Sequence, residues 1–208
     1  TIQQIAESFK PWNPGTELTV GLFSSVVPEF DERAFREALV NAFGHRDYSL
    51  LGRVRVLVDD AGLTIANPGG FVEGINVHNL LTAEPRGRNP CLMDALKRTG
   101  LAERTGRGID RIFEGALNYG RPLPDYSRSN RRGVSVLLPR SGPDKSFVEL
   151  LAEERERSGK SMSLDGLLIL DKLKSERRCG FDVLSGSLDM SDQRLRTVLG
   201  QLTEAGLV

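Results

Sequence analysis

The chain has 208 residues, with 28 basic and 28 acidic side chains and a formal net charge of zero. That length suits one large domain plus a small one, and a chain that is 39% hydrophobic and 27% charged is an ordinary globular protein without long disorder. The charge balance gives no support to non-specific nucleic-acid binding by the whole chain, and no apolar run approaches the ~20 residues of a membrane span.

Residues 18–23, Leu-Thr-Val-Gly-Leu-Phe, read as a strand. Pro28 and Asp31 then introduce a helix over 31–44, with Asp31 as N-cap and Gly44 as its stop. Residues 53–58 alternate Arg-Val-Arg-Val-Leu-Val, the period of a half-buried strand. A turn at Asp59-Asp60-Ala61-Gly62 returns the chain as a second strand over 63–66, which Asn67-Pro68-Gly69-Gly70 breaks. Residues 71–88 lack periodicity and read as a long loop, a type of segment that is usually functional or mobile. Asn89-Pro90 starts a helix that ends at Gly100. Ile109, Ile112, Phe113, Ala116 and Leu117 mark another, and 134–138 is a last strand. Helices alternating with strand pairs predict an α/β sandwich, a mixed sheet covered by helices on one face. This domain is expected over 1–140. A charged connecting helix or linker follows over 141–160, and a second domain over 161–208.

Three local signals suggest a ligand site. On helix 31–44, Phe35, Ala38, Leu39, Ala42 and Phe43 form one apolar stripe, while Glu37 and Asn41 lie one turn apart on another side. A carboxylate and an amide on a mostly apolar helix need partners, and together they suit a hard cation and a polarised water. The glycine pair Gly69 and Gly70 would let backbone approach a ligand closely. Thr105-Gly106-Arg107-Gly108, directly before a helix, would offer free N–H groups to phosphate. Each signal has an ordinary alternative: a surface Glu/Asn pair, a simple turn, a glycine-rich connection. Two other motifs fail. His45-Arg46-Asp47 lacks the Asn of a kinase catalytic loop, since Gly52 stands there. Gly159-Lys160-Ser161 lacks the earlier glycine of a P-loop, since Glu154 stands there.

The order of the three signals follows that of the Bergerat-type (GHKL) ATPases. More specifically, the run from Arg36 to Tyr48, with Asn67-Pro68-Gly69-Gly70, Arg88-Asn89-Pro90 and Glu103-Arg104-Thr105-Gly106-Arg107-Gly108-Ile109, resembles one family. That family is the ATP-binding domain found behind an AlbA/Schlafen-type DNA-binding domain in bacterial, helicase-related transcriptional regulators, and the resemblance covers about residues 15–140. It implies a Bergerat-like fold that binds ATP with Mg²⁺. In it Glu37 would be the water-activating acid and Asn41 the Mg²⁺ ligand. Asn67 would stand where the wider superfamily usually has an adenine-reading Asp. Gly69 and Gly70 would line the adenine side, and 71–88 would form a lid with Arg86 and Arg88 near the phosphates. Gly106, Arg107 and Gly108 would surround the phosphates.

Leu164, Leu167, Leu168, Leu170 and Leu173 give one amphipathic helix, and Phe181, Val183, Leu184 and Leu188 a shorter one. Ser191 caps a third that carries Leu195, Val198, Leu199 and Leu202, after which Leu207 and Val208 would begin a strand. The pattern resembles the winged-helix domains of transcription regulators, here cut in the wing. Gln193, Arg194, Arg196 and Thr197 would reach DNA from the third helix. Against this stands the charge of 161–208, six basic residues to seven acidic ones, which leaves protein contacts as the alternative.

Both ends read as cut from a longer chain, and no signal peptide is visible. Cys91 and Cys179 match no metal or redox spacing, so a reducing, cytoplasmic compartment is expected. Together these features predict a regulator fragment that binds nucleotide in the first domain and DNA through the second, as a homodimer. A weak Mg²⁺-dependent ATPase and a nucleotide-free dimer scaffold are the alternatives.

Overall fold

The structure, a computed structural model, describes residues 2–20, 23–102, 106–176 and 178–208. Helix α1 (Ile2–Phe9) and a 3₁₀ turn (Lys10–Trp12) lead into an antiparallel hairpin, β1 (Gly15–Val20) and β2 (Phe23–Pro28). Ile2, Ile5, Ala6 and Phe9 fall on one face of α1, and the Phe9 ring stacks on Phe35 with centroids 4.0 Å apart. The single strand expected over 18–23 is thus the end of β1 and the start of β2, with residues 21–22 outside the described ones. The partner strand, Phe-Ser-Ser-Val-Val-Pro, has no clean alternation to announce it.

Asp31 starts α2 (Glu32–Gly44) as expected, its carboxylate accepting from the backbone N–H of Arg33 and Ala34, each at 2.9 Å. Strands β3 (Arg55–Asp59) and β4 (Gly62–Pro68) form a hairpin, and β5 (Gly133–Pro139) pairs with the far side of β4. Helices α3 (Pro90–Arg98) and α4 (Gly108–Leu117) intervene. Every ladder among the described residues is antiparallel, apart from one isolated parallel bridge between Gly69 and Gly133. The mixed sheet expected from sequence is therefore corrected. The chain crosses two helices before β5 yet returns antiparallel, a choice that strand periodicity does not encode.

Period-two geometry puts Leu63, Ile65 and Asn67 of β4 on one face, opposite Leu138, Val136 and Val134 of β5. The apolar part of this row packs under α2 and α4. Those helices cross closely at Gly115, where an added Cβ would lie 2.6 Å from that of Ala34 and 2.9 Å from that of Asp31. Asn67 ends the row as its one polar member.

The charged stretch 141–160 is mostly helix α5 (Lys145–Ser158), capped by Asp144 and ended by Gly159 at φ 68°. Helix α6 (Leu164–Glu176) packs on α4, and α7 (Phe181–Leu188) and α8 (Asp192–Glu204) pack on α6. The apolar cluster runs continuously from Leu39 and Leu63 through Ile112 and Leu117 to Leu167, Leu195 and Leu202. Ser191 caps α8 through Arg194 N–H. Leu207 and Val208, expected to begin a strand, lie in none. Among the described residues no helix is long and apolar enough to cross a membrane.

Candidate functional site

A cavity of about 460 Å³ opens where the polar end of the β4–β5 row meets α2, α3, the start of α4 and the loop 71–88. Its floor is Ile65, Asn67, Val134 and Val136 from the sheet. Glu37, Ala38 and Asn41 of α2 line one wall, and the start of α4 lies against them, with Gly106, Gly108 and Ile109 also lining the cavity. The mix of apolar lining and a few convergent polar groups is that of a small-molecule site.

Asn67 is only 6% exposed. Its Nδ2 donates to the Pro68 carbonyl at 3.1 Å and, marginally, to that of Gly69 at 3.5 Å. With the donor turned onto backbone, Oδ1 is the end left to accept from a ligand. Glu37 is 2% exposed, with the Arg36 and Arg111 guanidiniums 3.9 and 3.8 Å from its Oε1. Glu37 and Asn41 converge on the first residue of α4. A Cβ on Gly108 would lie 3.1 Å from Glu37 Oε2 and 3.7 Å from Asn41 Oδ1. Glycine lets the α4 terminus sit this close without pushing the Glu37 carboxylate aside. That terminus has no side-chain cap, so its first N–H groups stay open to a ligand.

Of the residues expected from sequence, Glu37, Asn41, Asn67, Gly70, Arg86, Gly106 and Gly108 all line this one cavity. Three others do not. Arg88 donates to the Gly70 carbonyl at 2.8 Å and pairs with Asp47 at 3.5 Å, so it braces the glycine turn rather than facing the cavity. Arg107 turns along its own helix to Asp110 and Glu114, at 3.3 and 3.6 Å. Gly69, at φ 92°, presses on Asp47 and donates its N–H to the Arg132 carbonyl. Glu103, Arg104 and Thr105 of the expected motif lie outside the described residues.

Loop 71–88 is internally tied. Asn79 donates to the Gly74 carbonyl at 2.9 Å and accepts from Asn76 N–H at 2.7 Å. Its Leu80, Leu81, Ala83 and Arg86 line the cavity, while Thr82 between them donates to Asp189 Oδ2 at 3.1 Å. Asp189 sits in the turn before α8 at φ 49°, the one positive φ of a non-glycine among the described residues.

Sequence reasoning missed several lining residues. His45 lines the cavity, and burial first, then the Arg88 guanidinium, holds its pKa below the ordinary histidine value. Tyr126 lines it too, and burial pushes its phenol up. Pro90, Met93, Asp94 and Lys97 line it from α3 at i, i+3, i+4 and i+7, one face of a helix. That stripe is mixed in polarity, so no hydrophobic pattern flagged it.

On α8, Gln193, Arg194, Arg196 and Thr197 are exposed as expected. Arg194 is nevertheless held by Asp165, with Nη2 2.7 Å from Oδ1. Arg196 stacks 4.4 Å over the Phe181 ring, and the Thr197 hydroxyl donates to the Gln193 carbonyl at 2.9 Å.

Residues 52–138 match the family described as "Putative ATP-dependent DNA helicase recG C-terminal", a similarity that supports an ATPase-like domain over this part of the chain. The match holds Asn67, the glycine pairs and the loop, while Glu37 and Asn41 precede it. The fold is shared with a crystal structure of the DIP2311 protein from Corynebacterium diphtheriae, at a TM-score of 0.80 and 24% identity. The superposition covers 96% of this chain and 41% of that one, so the chain spans less than half the length of that neighbour. No curated protein matches the chain.

Proposed function

We propose that the chain binds an adenine nucleotide, ATP, with Mg²⁺ in this cavity. One observation carries the reading: residues from four separate stretches, Glu37 and Asn41, Asn67 and Gly70, Arg86, and Gly106 and Gly108, meet at one cavity of about 460 Å³. Asn67 Oδ1 would accept from the exocyclic amine of adenine at the floor. The open N–H groups of α4, next to Gly106 and Gly108, would hold phosphate oxygens. No group of three or more His, Cys, Asp or Glu side chains able to hold a metal occurs among the described residues. The residues present still fit Mg²⁺. That ion keeps several waters and takes one or two protein oxygens beside the phosphates; Asn41 Oδ1 offers one such oxygen, and Glu37 beside it would hold one of the waters. Bound there, Mg²⁺ would neutralise phosphate charge. A thermal-shift titration with ATP, ADP and GTP, with and without Mg²⁺, tests the reading. A ligand at 100 times its Kd stabilises by about 2.7 kcal/mol, so an adenine-selective shift supports it and no shift at millimolar nucleotide overturns it in favour of a scaffold.

Turnover is a second reading, favoured by the burial of Glu37 against the cavity. Glu37→Ala separates the two: lost hydrolysis with retained binding marks an enzyme, and no hydrolysis by the unaltered chain marks a sensor.

We place this pocket in a wider frame, a regulator whose first unit (1–140) is joined by 141–160 to a winged-helix unit (161–208) that contacts DNA through α8. The observation in its favour is the Thr82–Asp189 bond, which ties the cavity loop to the turn that starts α8. DNA contact by Arg194 requires it to leave Asp165. Fluorescence anisotropy with duplex DNA, with and without ATP, is expected to show binding that weakens for Arg194→Ala. Coupling predicts that Thr82→Val removes the ATP dependence, since a ligand shifts a second site only through differential contacts. No binding at low salt leaves α8 to protein contacts, including those of a homodimer.

A further inference from the structure

We infer that Lys97, in the last turn of α3, is the second phosphate-binding cation of the cavity, acting with Arg86. The inference rests on the nucleotide reading and names the group that counts the ligand's phosphates.

A triphosphate needs positive groups at one end of its site. Sequence offers three arginines beside the expected phosphate position: Arg86, Arg88 and Arg107. The structure commits two of them elsewhere, Arg88 to Gly70 and Asp47, and Arg107 to Asp110 and Glu114. Arg86 and Lys97 are the cationic Lys/Arg residues that line the cavity, and neither side chain makes a hydrogen bond or ion pair among the described residues.

Lys97 is fixed in place by its helix. On α3, Leu96 is buried with Val40 and Ala102 in a small apolar cluster, with Leu92, Met93 and Leu101 packed against it. Gly44 of α2 gives Met93 room, since a Cβ there would fall on the thioether. With that side docked, the face carrying Pro90, Met93, Asp94 and Lys97 is turned to the cavity. Lys97 is the last of the four, at the α3 C-terminal end. Ala102, Gly106 and Gly108 line the same cavity. The Lys97 side chain therefore lines the same cavity as Arg86 and the glycines at the open N-terminus of α4. A flexible four-carbon stem with a compact charge suits a phosphate whose position shifts with chain length.

The test is calorimetric titration of the full chain with Mg²⁺ and ATP, ADP, adenosine or inorganic tripolyphosphate, for the parent and for Lys97→Met and Lys97→Arg. Lys97→Met is expected to weaken ATP by roughly tenfold or more, the effect of one lost charge-assisted bond. ADP should weaken less, and adenosine should stay within about twofold, because no phosphate remains to feel the charge. Lys97→Arg should restore most of the ATP affinity. Equal losses for ATP and adenosine would make Lys97 structural and overturn the inference, as would unchanged ATP affinity in Lys97→Met. A parent chain that binds tripolyphosphate through Lys97 but not ATP would keep the inference and discard the nucleotide. A parent that binds neither would overturn both.

Discussion

Asn67→Asp exchanges a donor for a charge in a place where two carbonyl oxygens need the donor. The Nδ2 bond to Pro68, at 3.1 Å, contributes about 1 kcal/mol, and the 3.5 Å contact to Gly69 adds little. A carboxylate at this 6% exposed position would instead face those oxygens, adding ~1–2 kcal/mol at neutral pH. The deficit of about 2–3 kcal/mol corresponds, for a chain of this size, to a Tm lower by roughly 4–12 °C.

The pH dependence gives the prediction its sign. Burial beside carbonyl oxygens pushes the new carboxyl above its ordinary value of ~3.9. Between the unfolded and folded values the native state then binds more protons than the unfolded one, so stability falls as pH rises through that interval. Melts at about pH 5 and about pH 7.5, each compared with the parent, should show the larger deficit at the higher pH. ATP affinity should not improve, although a carboxylate is the usual adenine acceptor in the superfamily the sequence resembles. Equal Tm for variant and parent at both pH values would refute the argument, because it would mean that the Pro68 and Gly69 oxygens do not require a donor.

Gly115→Ala should cost about 1–3 kcal/mol by overpacking the α2–α4 crossing, read as a lower urea midpoint. It should weaken ATP as well, since both helices line the cavity and meet at Gly108. Arg88→Ala should lower Tm and weaken ATP and adenosine by similar factors, because Arg88 braces the Gly70 turn and does not face phosphate; a loss confined to ATP would reverse that assignment. The His45 pKa is depressed in the folded chain, so its neutral form is the one the fold accepts. That share of stability is complete above the unfolded value of ~6.5 and is lost as pH falls through the lower folded value. Tm should decline over that window, and His45→Gln should flatten the decline.

Residue type and period made much of this legible. Asp31 and the apolar stripe gave α2, the alternation before Asp59 gave the β3–β4 hairpin, and Ser191 gave the start of α8. The cavity was legible as residues, because carboxylate, amide and glycines each carry a local physical reason to be where they are. Distance was not legible. Arg86 and Arg88 differ by two positions, and nothing in the sequence says that one faces the cavity while the other holds a carbonyl. Lys97 stayed hidden for the converse reason: a mixed face of Pro90, Met93, Asp94 and Lys97 matches no hydrophobic period. The β1–β2 hairpin was missed because an interrupted apolar run gives no register.

The charges around the cavity then bear on what it accepts. Four carboxylates line it, Glu37, Glu84, Asp94 and Asp110, against the two cations Arg86 and Lys97. Glu37 and Asp110 have arginines from outside the lining beside them, at 3.8–3.9 and 3.3 Å. Glu84 and Asp94 have no ion pair among the described residues and balance Arg86 and Lys97 in number. A free triphosphate therefore finds no net positive charge here, only the dipole and open N–H groups of α4, which are worth less than one full charge. Each added phosphate makes the deficit larger, and a divalent cation is the group that offsets it. Chelating Mg²⁺ should accordingly weaken ATP more than ADP and leave adenosine unchanged, a graded loss that follows from the lining charges whether or not the nucleotide is ever hydrolysed.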